Sequence, residues 1–253
     1  MRKSNRQTFT CVGINSTISI IKSKRFQIEK VLIIGNSQAE KNQRLSKVLK
    51  MVEPNLIRKV NHKKLASRFK TQGVAITFSG DLILDENADY PNEEGSCLLV
   101  LDQVEDPQNF GQIIRTVECA GIKGIIYSKH HSVSLTDTAL QVSQGAFVNM
   151  NFYEVTNIRN ELQRLKKNNF WVVGLENSVN ASPWYSIDYF DKTVIVVGSE
   201  GNGVRKKVLE TCDFIATIPM QGITNSLNVG AATSAIVFEM LRQKLEKNNA
   251  INS

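Results

Sequence analysis

A glycine-rich segment with a single carboxylate is the strongest candidate for ligand binding in this sequence. Gly198 ends the apolar run Thr193–Gly198, Gly201 and Gly203 follow it, and Glu200 lies among the three glycines. Glycine permits positive φ and lets backbone N–H groups approach a ligand closely. The order G-x-x-G-x-G differs from the dinucleotide fingerprint, and the Lys-Ser/Thr pair of a P-loop does not follow the last glycine. The carboxylate favours a cationic or hydroxyl-bearing ligand; the alternative is a plain turn with a solvated Glu200.

A second polar segment follows the apolar run Cys97–Asp102. Asp106 and Pro107 are typical of a helix N-cap and first helical residue, so a helix should begin there. Asn109 then falls in the first turn, and Arg115 lies about a turn and a half later. The apolar neighbours of Arg115 predict a partly sheltered guanidinium. The alternative is an ordinary helical arginine in a surface ion pair.

The third polar segment follows the run Phe214–Ile218 and carries Ser226 and Asn228. Small residues come next, beginning with Gly230, and allow close backbone packing against another segment or around a flat ligand. Either Ser226 or Asn228 could instead be only a helix cap, which is a common role for both residue types.

The elements that must position these segments alternate between apolar strands and amphipathic helices. The predicted strands are Cys97–Asp102, Gly124–Ser128, Trp171–Glu176, Thr193–Gly198 and Phe214–Ile218. The predicted helices are Gln108–Cys119, Leu135–Gln144, Ile158–Asn168, Val204–Cys212 and Val229–Lys247. Strict alternation predicts a parallel sheet covered on both faces. Because ligands bind outside the carboxyl ends of such strands, the three polar segments should meet there.

The first part of the chain reads as a separate, smaller α/β unit. Its predicted strands are Cys11–Ile14, Lys30–Ile34 and Gly73–Phe78, and its predicted helices are Thr17–Ser23, Asn42–Met51 and His62–Phe69. The acidic, polar segment 85–96, with Pro91 and Gly95, has no periodicity and predicts an interdomain linker. We therefore expect domains at 1–84 and 97–247.

The charge is divided between these two parts. Residues 1–80 contain 17 Lys/Arg and three acids, whereas residues 81–253 contain 14 Lys/Arg and 21 Asp/Glu. All the excess positive charge behind the net +7 is thus in the first third of the chain. A polyanion, above all nucleic acid, is the natural partner of such a surface. The alternative is a basic surface that is merely solvated.

Other classes of protein have little support in the composition. The apolar runs are of strand length, far below the roughly 18 residues of a membrane span, so no membrane association is expected. Four dispersed cysteines and three histidines offer neither a disulfide framework nor a metal-ligand cluster. We expect no metal and a reducing, cytoplasmic location.

Taken in order and spacing, the three polar segments resemble the motifs of the SpoU (TrmH) family of RNA ribose 2′-O-methyltransferases. Asn109-x-Gly111-x-x-x-Arg115-Thr116 resembles the first motif, and Gly198-Ser199-Glu200-Gly201-x-Gly203 resembles the second. The third is resembled by Ile218-Pro219-Met220 together with Ser226-Leu227-Asn228-Val229. The resemblance covers most of residues 97–246, and three ordered motifs are far more specific than one.

The resemblance implies a fold, a cofactor and an assembly. The fold is α/β: a knotted SPOUT-type catalytic domain with a parallel sheet, preceded by a small α/β ribosomal-protein-like RNA-binding domain. The C-terminal segment would thread through a loop to form a deep trefoil knot, and the chain would be a homodimer with its active site near the subunit interface. S-adenosyl-L-methionine would be the cofactor, bound by Gly198, Ile218 and Leu227.

The resemblance also implies roles for polar residues. Asn109, Arg115, Glu200, Ser226 and Asn228 occupy catalytic positions of the family. Because a guanidinium stays protonated in proteins, Arg115 would be a poor base. We expect it instead to clamp the target phosphate and orient the 2′-hydroxyl.

The substrate is the least determined part of this interpretation. Gln72-Gly73-Val74 lies where the 23S rRNA guanosine 2′-O-methyltransferases have a His-Gln-Gly-Val stretch, although Thr71 replaces the histidine. The additional basic domain favours rRNA over tRNA, since a large folded RNA needs an extended docking surface. A tRNA 2′-O-methyltransferase and a non-catalytic RNA-binding protein of the same fold are the alternatives. The glycine order argues against a Rossmann-type dehydrogenase.

Overall fold

The structure is a computed structural model of the chain. It describes residues 6–61, 72–85, 87–178, 180–189 and 192–251. The predicted helix His62–Phe69 and Thr71 lie outside the described residues. No helix within the described ranges is both long and apolar enough to cross a membrane.

Strands and helices alternate along most of the described chain. The strands are β1 (Gln7–Val12), β2 (Gln27–Ile34), β3 (Ile57–Val60), β4 (Val74–Gly80), β5 (Ile83–Leu84), β6 (Cys97–Asp102), β7 (Gly124–Ser128), β8 (Asn151–Val155), β9 (Trp171–Leu175), β10 (Ser182–Pro183), β11 (Thr193–Gly198) and β12 (Phe214–Thr217). The helices are α1 (Ile14–Ser23), α2 (Gln43–Leu49), α3 (Pro107–Cys119), α4 (Asp137–Val142), α5 (Ile158–Lys167), α6 (Lys206–Leu209) and α7 (Val229–Ile251).

The chain divides into two compact units. The first comprises Met1–Leu82 together with Leu135–Val148, and the second comprises Ile83–Ser134 and Asn149–Ser253. In the first unit a mixed sheet has the order β1-β4-β2-β3, with β1 and β2 antiparallel to β4 and β3 parallel to β2. Its buried face holds aromatic side chains such as Phe78, which stacks on Phe147 at 5.8 Å. The segment Leu135–Val148, which carries α4, is thus part of this unit's core.

The second unit is built on one parallel sheet with the order β10-β12-β9-β11-β6-β7-β8-β5. Its central strands are buried along their whole length, as β6 and β11 show. Full burial explains their unbroken apolar sequences, because side chains on both faces of the sheet contact helices or loops. The predicted α/β architecture with a parallel sheet is confirmed for this unit.

Several predicted boundaries need correction. The first predicted strand extends too far, because Gly13 turns the chain at φ 100° and α1 already begins at Ile14. The helix predicted at Val204–Cys212 is reduced to the single turn Lys206–Leu209. The sequence pattern also does not predict β8, although its strand is an interior member of the sheet. Asn151 and Glu154 interrupt its apolar run, which hides it from a search for apolar strands.

The segment that the sequence predicts as a linker is partly packed in the second unit. The Tyr90 ring lies 4.5 Å from the Tyr153 ring, and the Arg164 guanidinium lies 4.6 Å above Tyr90. Arg164 also donates a hydrogen bond to the Ala88 carbonyl at 3.2 Å. Burial raises the pKa of the Tyr90 hydroxyl well above its usual range. These contacts hold the middle of this segment against α5 and β8.

Candidate active site

The polar segments follow strands that are adjacent in the sheet and end at the same edge: β12, β9, β11 and β6. Chain order reverses at the centre, because β7 and β8 continue on one side of β6 while β11 lies on the other. Such a reversal leaves a crevice outside the carboxyl ends of the strands. Two cavities, of about 750 Å³ and 340 Å³, lie at this edge.

The glycine-rich segment after β11 is a tight loop closed by its own backbone. Ser199 N–H donates to the Gly203 carbonyl at 3.2 Å, and Gly203 N–H donates to the Ser199 carbonyl at 3.1 Å. Gly201 and Gly203 have positive φ, of 120° and 63°. A Cβ at Gly198 would overlap the backbone of Gly203 and Val204. Two glycines therefore supply left-handed backbone, and the third permits the close approach of the returning chain.

One side chain from each predicted motif meets in a closed hydrogen-bonded triad. Asn109 Nδ2 donates to Glu200 Oε1 at 2.6 Å, and Asn228 Nδ2 donates to the same oxygen at 2.7 Å. Asn228 Nδ2 also donates to Asn109 Oδ1 at 3.0 Å. Within the described part of the chain, Glu200 Oε2 has no hydrogen-bond partner. The triad thus fixes one carboxylate oxygen and leaves the other available.

Helix capping positions both asparagines of the triad. Asp106 caps α3 by accepting from Gln108 N–H at 2.9 Å, which places Asn109 in the first turn, as predicted. Asn228 Oδ1 accepts from Gly230 N–H at 2.8 Å and so caps α7. Asn228 is therefore both a helix cap and a member of the triad, because its amide oxygen and nitrogen bind different groups.

An ion pair with a buried carboxylate ties the end of the glycine-rich loop to the end of β6. Asp102, the last residue of β6, is fully buried. Its carboxylate accepts from Arg205 Nε at 2.8 Å and from the Arg205 backbone N–H at 2.8 Å, and Arg205 Nη2 lies 2.7 Å away. Both of these guanidinium nitrogens contact Asp102 Oδ1 and the backbone N–H contacts Oδ2, and charge-assisted hydrogen bonds of this kind fix geometry strongly. The loop that carries Glu200 is therefore anchored at its exit.

The two cavities meet at the triad. The larger is lined by predicted site residues from the second and third motifs: Gly198, Glu200, Ile218, Ser226, Leu227 and Asn228. The smaller is lined by Asn109 and Glu200, together with the acidic Glu105 and Asp106. Both cavities include Ser199, Glu200 and Val229 in their walls. A ligand in one cavity would thus lie beside a ligand in the other.

Arg115 differs from its predicted environment. Its side chain is exposed and lines neither cavity, so the expected sheltering is wrong. The cause is helical periodicity: Ile113, Ile114 and Val117 point into the core, which turns Arg115 outward. Nor does it form the surface ion pair of the alternative interpretation with any described residue.

The larger cavity also contains residues that the motifs do not include. Glu176 and Asn177 follow β9 and line its wall. Asn177 Nδ2 donates to the Asn225 carbonyl at 3.1 Å, which connects this loop to the third motif. Two polar residues directly after an apolar strand were the available signal, because β9 ends at the same sheet edge as β11.

A comparison with known protein families decides the identity of this arrangement. The model of the SpoU rRNA methylase family matches residues 96–238, more than half of the chain. The chain belongs to the SpoU family. As a member of this family, it is an RNA methyltransferase.

Individual SpoU relatives match along most of the chain. A TrmH family tRNA/rRNA methyltransferase of Staphylococcus saprophyticus is 35% identical over 225 residues, which cover 86% of this chain and 89% of that protein. The 23S rRNA (guanosine-2′-O-)-methyltransferase RlmB of Xylella fastidiosa is 32% identical over 253 residues, covering 95% of this chain and 98% of that protein.

A solved structure confirms the SpoU fold. The SpoU methyltransferase AviRb from Streptomyces viridochromogenes, crystallised with AdoMet, superposes with a TM-score of 0.80 at 19% identity. The superposition covers 94% of this chain and 91% of that one.

Proposed function

We propose that this SpoU protein transfers a methyl group from S-adenosyl-L-methionine to a ribose 2′-hydroxyl, on a guanosine of 23S rRNA. The observation that carries the proposal is the triad of Asn109, Glu200 and Asn228 at the junction of two cavities. The larger cavity suits the methyl donor, and the triad beside it offers a carboxylate oxygen to the hydroxyl of the acceptor. The name of the Xylella fastidiosa relative supports the guanosine and the rRNA.

The residues of the larger cavity fit S-adenosyl-L-methionine. Its walls combine apolar side chains, among them Val197, Ile218 and Leu227, with the backbone of the glycine-rich loop. Glu176 and Glu200 are the only ionisable groups among the described residues that line it. An anionic cavity favours a ligand with a sulfonium and an ammonium group and disfavours nucleotides that carry several phosphates. When bound, S-adenosyl-L-methionine supplies an electrophilic methyl group.

The triad and Arg115 prepare the acceptor. Glu200 Oε2 is available to accept a hydrogen bond from the ribose 2′-hydroxyl, while Asn109 and Asn228 hold the other oxygen of the same carboxylate. Holding the hydroxyl oxygen in line with the methyl carbon is itself a large catalytic contribution. Arg115, exposed on α3, binds the phosphate next to the target nucleotide and keeps the ribose in place.

The first unit serves as the RNA-binding domain. The exposed face of α2 carries Arg44 and Lys47, and Lys50 follows directly after the helix. Arg58 is exposed on β3, one of the two edge strands of the sheet. Phosphate contacts from such residues position a protein on RNA without reading its sequence. This basic surface favours a large folded substrate, and hence rRNA over tRNA.

The family resemblance extends the proposal to chain topology and assembly. The chain after the glycine-rich loop forms a trefoil knot, and two copies form a cytoplasmic homodimer. Support for the dimer comes from α7, where Phe238 is 46% exposed and Leu245 is 53% exposed. Exposed apolar side chains on one long helix are typical of an interface between subunits. Light scattering after size-exclusion chromatography tests the dimer directly.

Methylation of RNA in vitro and in a deletion strain tests the function. We expect the purified protein and S-adenosyl-L-methionine to make one guanosine of 23S rRNA resistant to alkaline cleavage on its 3′ side, and the deletion strain to lack that mark. Arg115→Ala should reduce the rate at least a hundredfold with donor affinity nearly unchanged, whereas Arg159→Ala, an exposed arginine on α5, should leave both unchanged. Methylation of tRNA alone would refute 23S rRNA as the substrate. Binding of RNA without any methylation would refute the proposed methyltransferase activity.

A further inference from the structure

The larger cavity has a carboxylate that lies outside the three motifs. Glu176 follows β9 and lines the cavity on the side of the glycine-rich loop. Together with Glu200 it gives the cavity two carboxylates, and no Lys, Arg or His is among the described residues of its wall. Glu200 is held by the triad, whereas Glu176 has separate partners.

The Glu176 carboxylate is fixed beneath the exit of the glycine-rich loop. Its Oε2 accepts from Val204 N–H at 2.8 Å, and its Oε1 accepts from Asn177 N–H at 3.1 Å. A Cβ at Gly203 would overlap this carboxylate, so glycine is the residue that permits the contact. Each carboxylate oxygen can accept two hydrogen bonds, and one acceptor site therefore remains on both oxygens.

We propose that Glu176 makes the cavity prefer the cationic methyl donor over the product of the reaction. This inference rests on the proposed function. In the transfer, the bond between sulfur and the methyl carbon breaks, the bond between that carbon and the ribose oxygen forms, and the hydroxyl proton leaves to solvent. The sulfonium thereby becomes a neutral thioether. A fixed carboxylate attracts the positively charged sulfonium of the donor, and this attraction is absent for the neutral thioether of the product.

The preference has a functional consequence. If the cavity bound donor and product equally well, then at equal concentrations the product would occupy as many cavities as the donor. With Glu176 in place, the product is held more weakly as soon as the charge disappears, so it leaves and a new donor enters. At the effective dielectric of a partly exposed site, one such charge changes affinity by roughly tenfold.

A purely structural role for Glu176 predicts a different result. If the carboxylate only supports the loop through Val204, then its replacement weakens donor and product to the same extent. Glu176→Gln separates the two roles, because glutamine removes the charge but keeps the size of the side chain and an oxygen that can accept from Val204 N–H; only the exposed contact with Asn177 N–H loses its acceptor. Glu210→Gln is the matched control, since Glu210 is exposed after α6 and lines neither cavity.

Isothermal titration calorimetry with S-adenosylmethionine and S-adenosylhomocysteine tests the inference on the full chain. We expect Glu176→Gln to weaken the binding of the donor roughly tenfold and that of the product less than about twofold. Glu210→Gln should leave both affinities unchanged. The donor preference of the wild type should also fall as salt is raised. Equal weakening of both ligands, or no change in either, would overturn the role of Glu176. A wild type that binds neither ligand would overturn the proposed function itself.

Discussion

The ion pair between Asp102 and Arg205 predicts that substitution of each partner lowers the free energy of unfolding by a different amount. Asp102 is fully buried, whereas the Arg205 side chain is 46% exposed. Arg205→Ala removes both guanidinium contacts and leaves the Asp102 carboxylate with only one backbone N–H in a buried site. Because a buried charge without its partner is costly, we expect a loss of about 3 kcal/mol of unfolding free energy, at the low end of the range for buried pairs.

Removal of the acid should cost less. Asp102→Ala leaves a half-exposed guanidinium that water can solvate, so we expect a loss of about 1–2 kcal/mol from the missing charge-assisted hydrogen bonds. The double variant should be no less stable than Arg205→Ala alone, because no buried charge remains. The two single effects therefore should not add.

Urea denaturation followed by tryptophan fluorescence measures these differences. Trp171 and Trp184, the two tryptophans of the chain, both lie in the second unit and report on it selectively. Lys247→Ala is the control, since both partners of its ion pair with Asp188 are exposed and its loss should leave the urea midpoint nearly unchanged. The reasoning fails if Arg205→Ala is no more destabilising than Asp102→Ala, or if the double variant shows the sum of both effects.

Three further predictions concern a glycine, a cysteine pair and a surface carboxylate. Gly203→Ala should cost about 1–3 kcal/mol of stability and weaken donor binding in calorimetry, because a Cβ there meets a carboxylate and φ is 63°. Burial raises the pKa of the Cys212 thiol to about 12, so at pH 8 iodoacetamide should modify the exposed Cys119 first, as mass spectrometry of the folded and unfolded chain would show. The hydrogen bond from Lys59 lowers the pKa of Glu40, so its stabilising effect is present above the usual glutamate range and disappears as the pH falls through the lowered pKa. Lys59→Ala should raise the pKa of Glu40 in an NMR titration, and an unchanged value would contradict this.

The sequence predicts the meeting of the three motifs better than it predicts their contacts. Apolar strands that alternate with helices imply a parallel sheet, and the rule for such sheets brings their carboxyl-end loops together. The triad is a different matter, because Asn109 and Asn228 are separated by 119 positions and no local pattern encodes their hydrogen bond. The catalytic roles of Asn109, Glu200 and Asn228 remain predictions.

The wrong prediction for Arg115 and the omission of Glu176 have physical reasons. Arg115 has apolar neighbours in sequence, yet three successive residues of a helix face different directions, so adjacency is a poor guide to burial. Glu176 escaped notice because the sequence pattern includes it as the last residue of the predicted strand Trp171–Glu176, so its pairing with the polar Asn177 was not interpreted as a site. Only the return of the glycine-rich loop, with Val204 N–H directed at its carboxylate, makes it part of the cavity.

The strand order has a consequence for the synthesis of this protein. β11 inserts between β6 and β9, although it follows both in the chain. A nascent polypeptide therefore displays the open side of β6 until residues 193–198 have left the ribosome, and a fragment that stops earlier keeps an unpaired edge that invites association with other chains. Asn228 is synthesised after β11, so such fragments would also lack the triad and would be inactive. We expect quality-control proteases to degrade them.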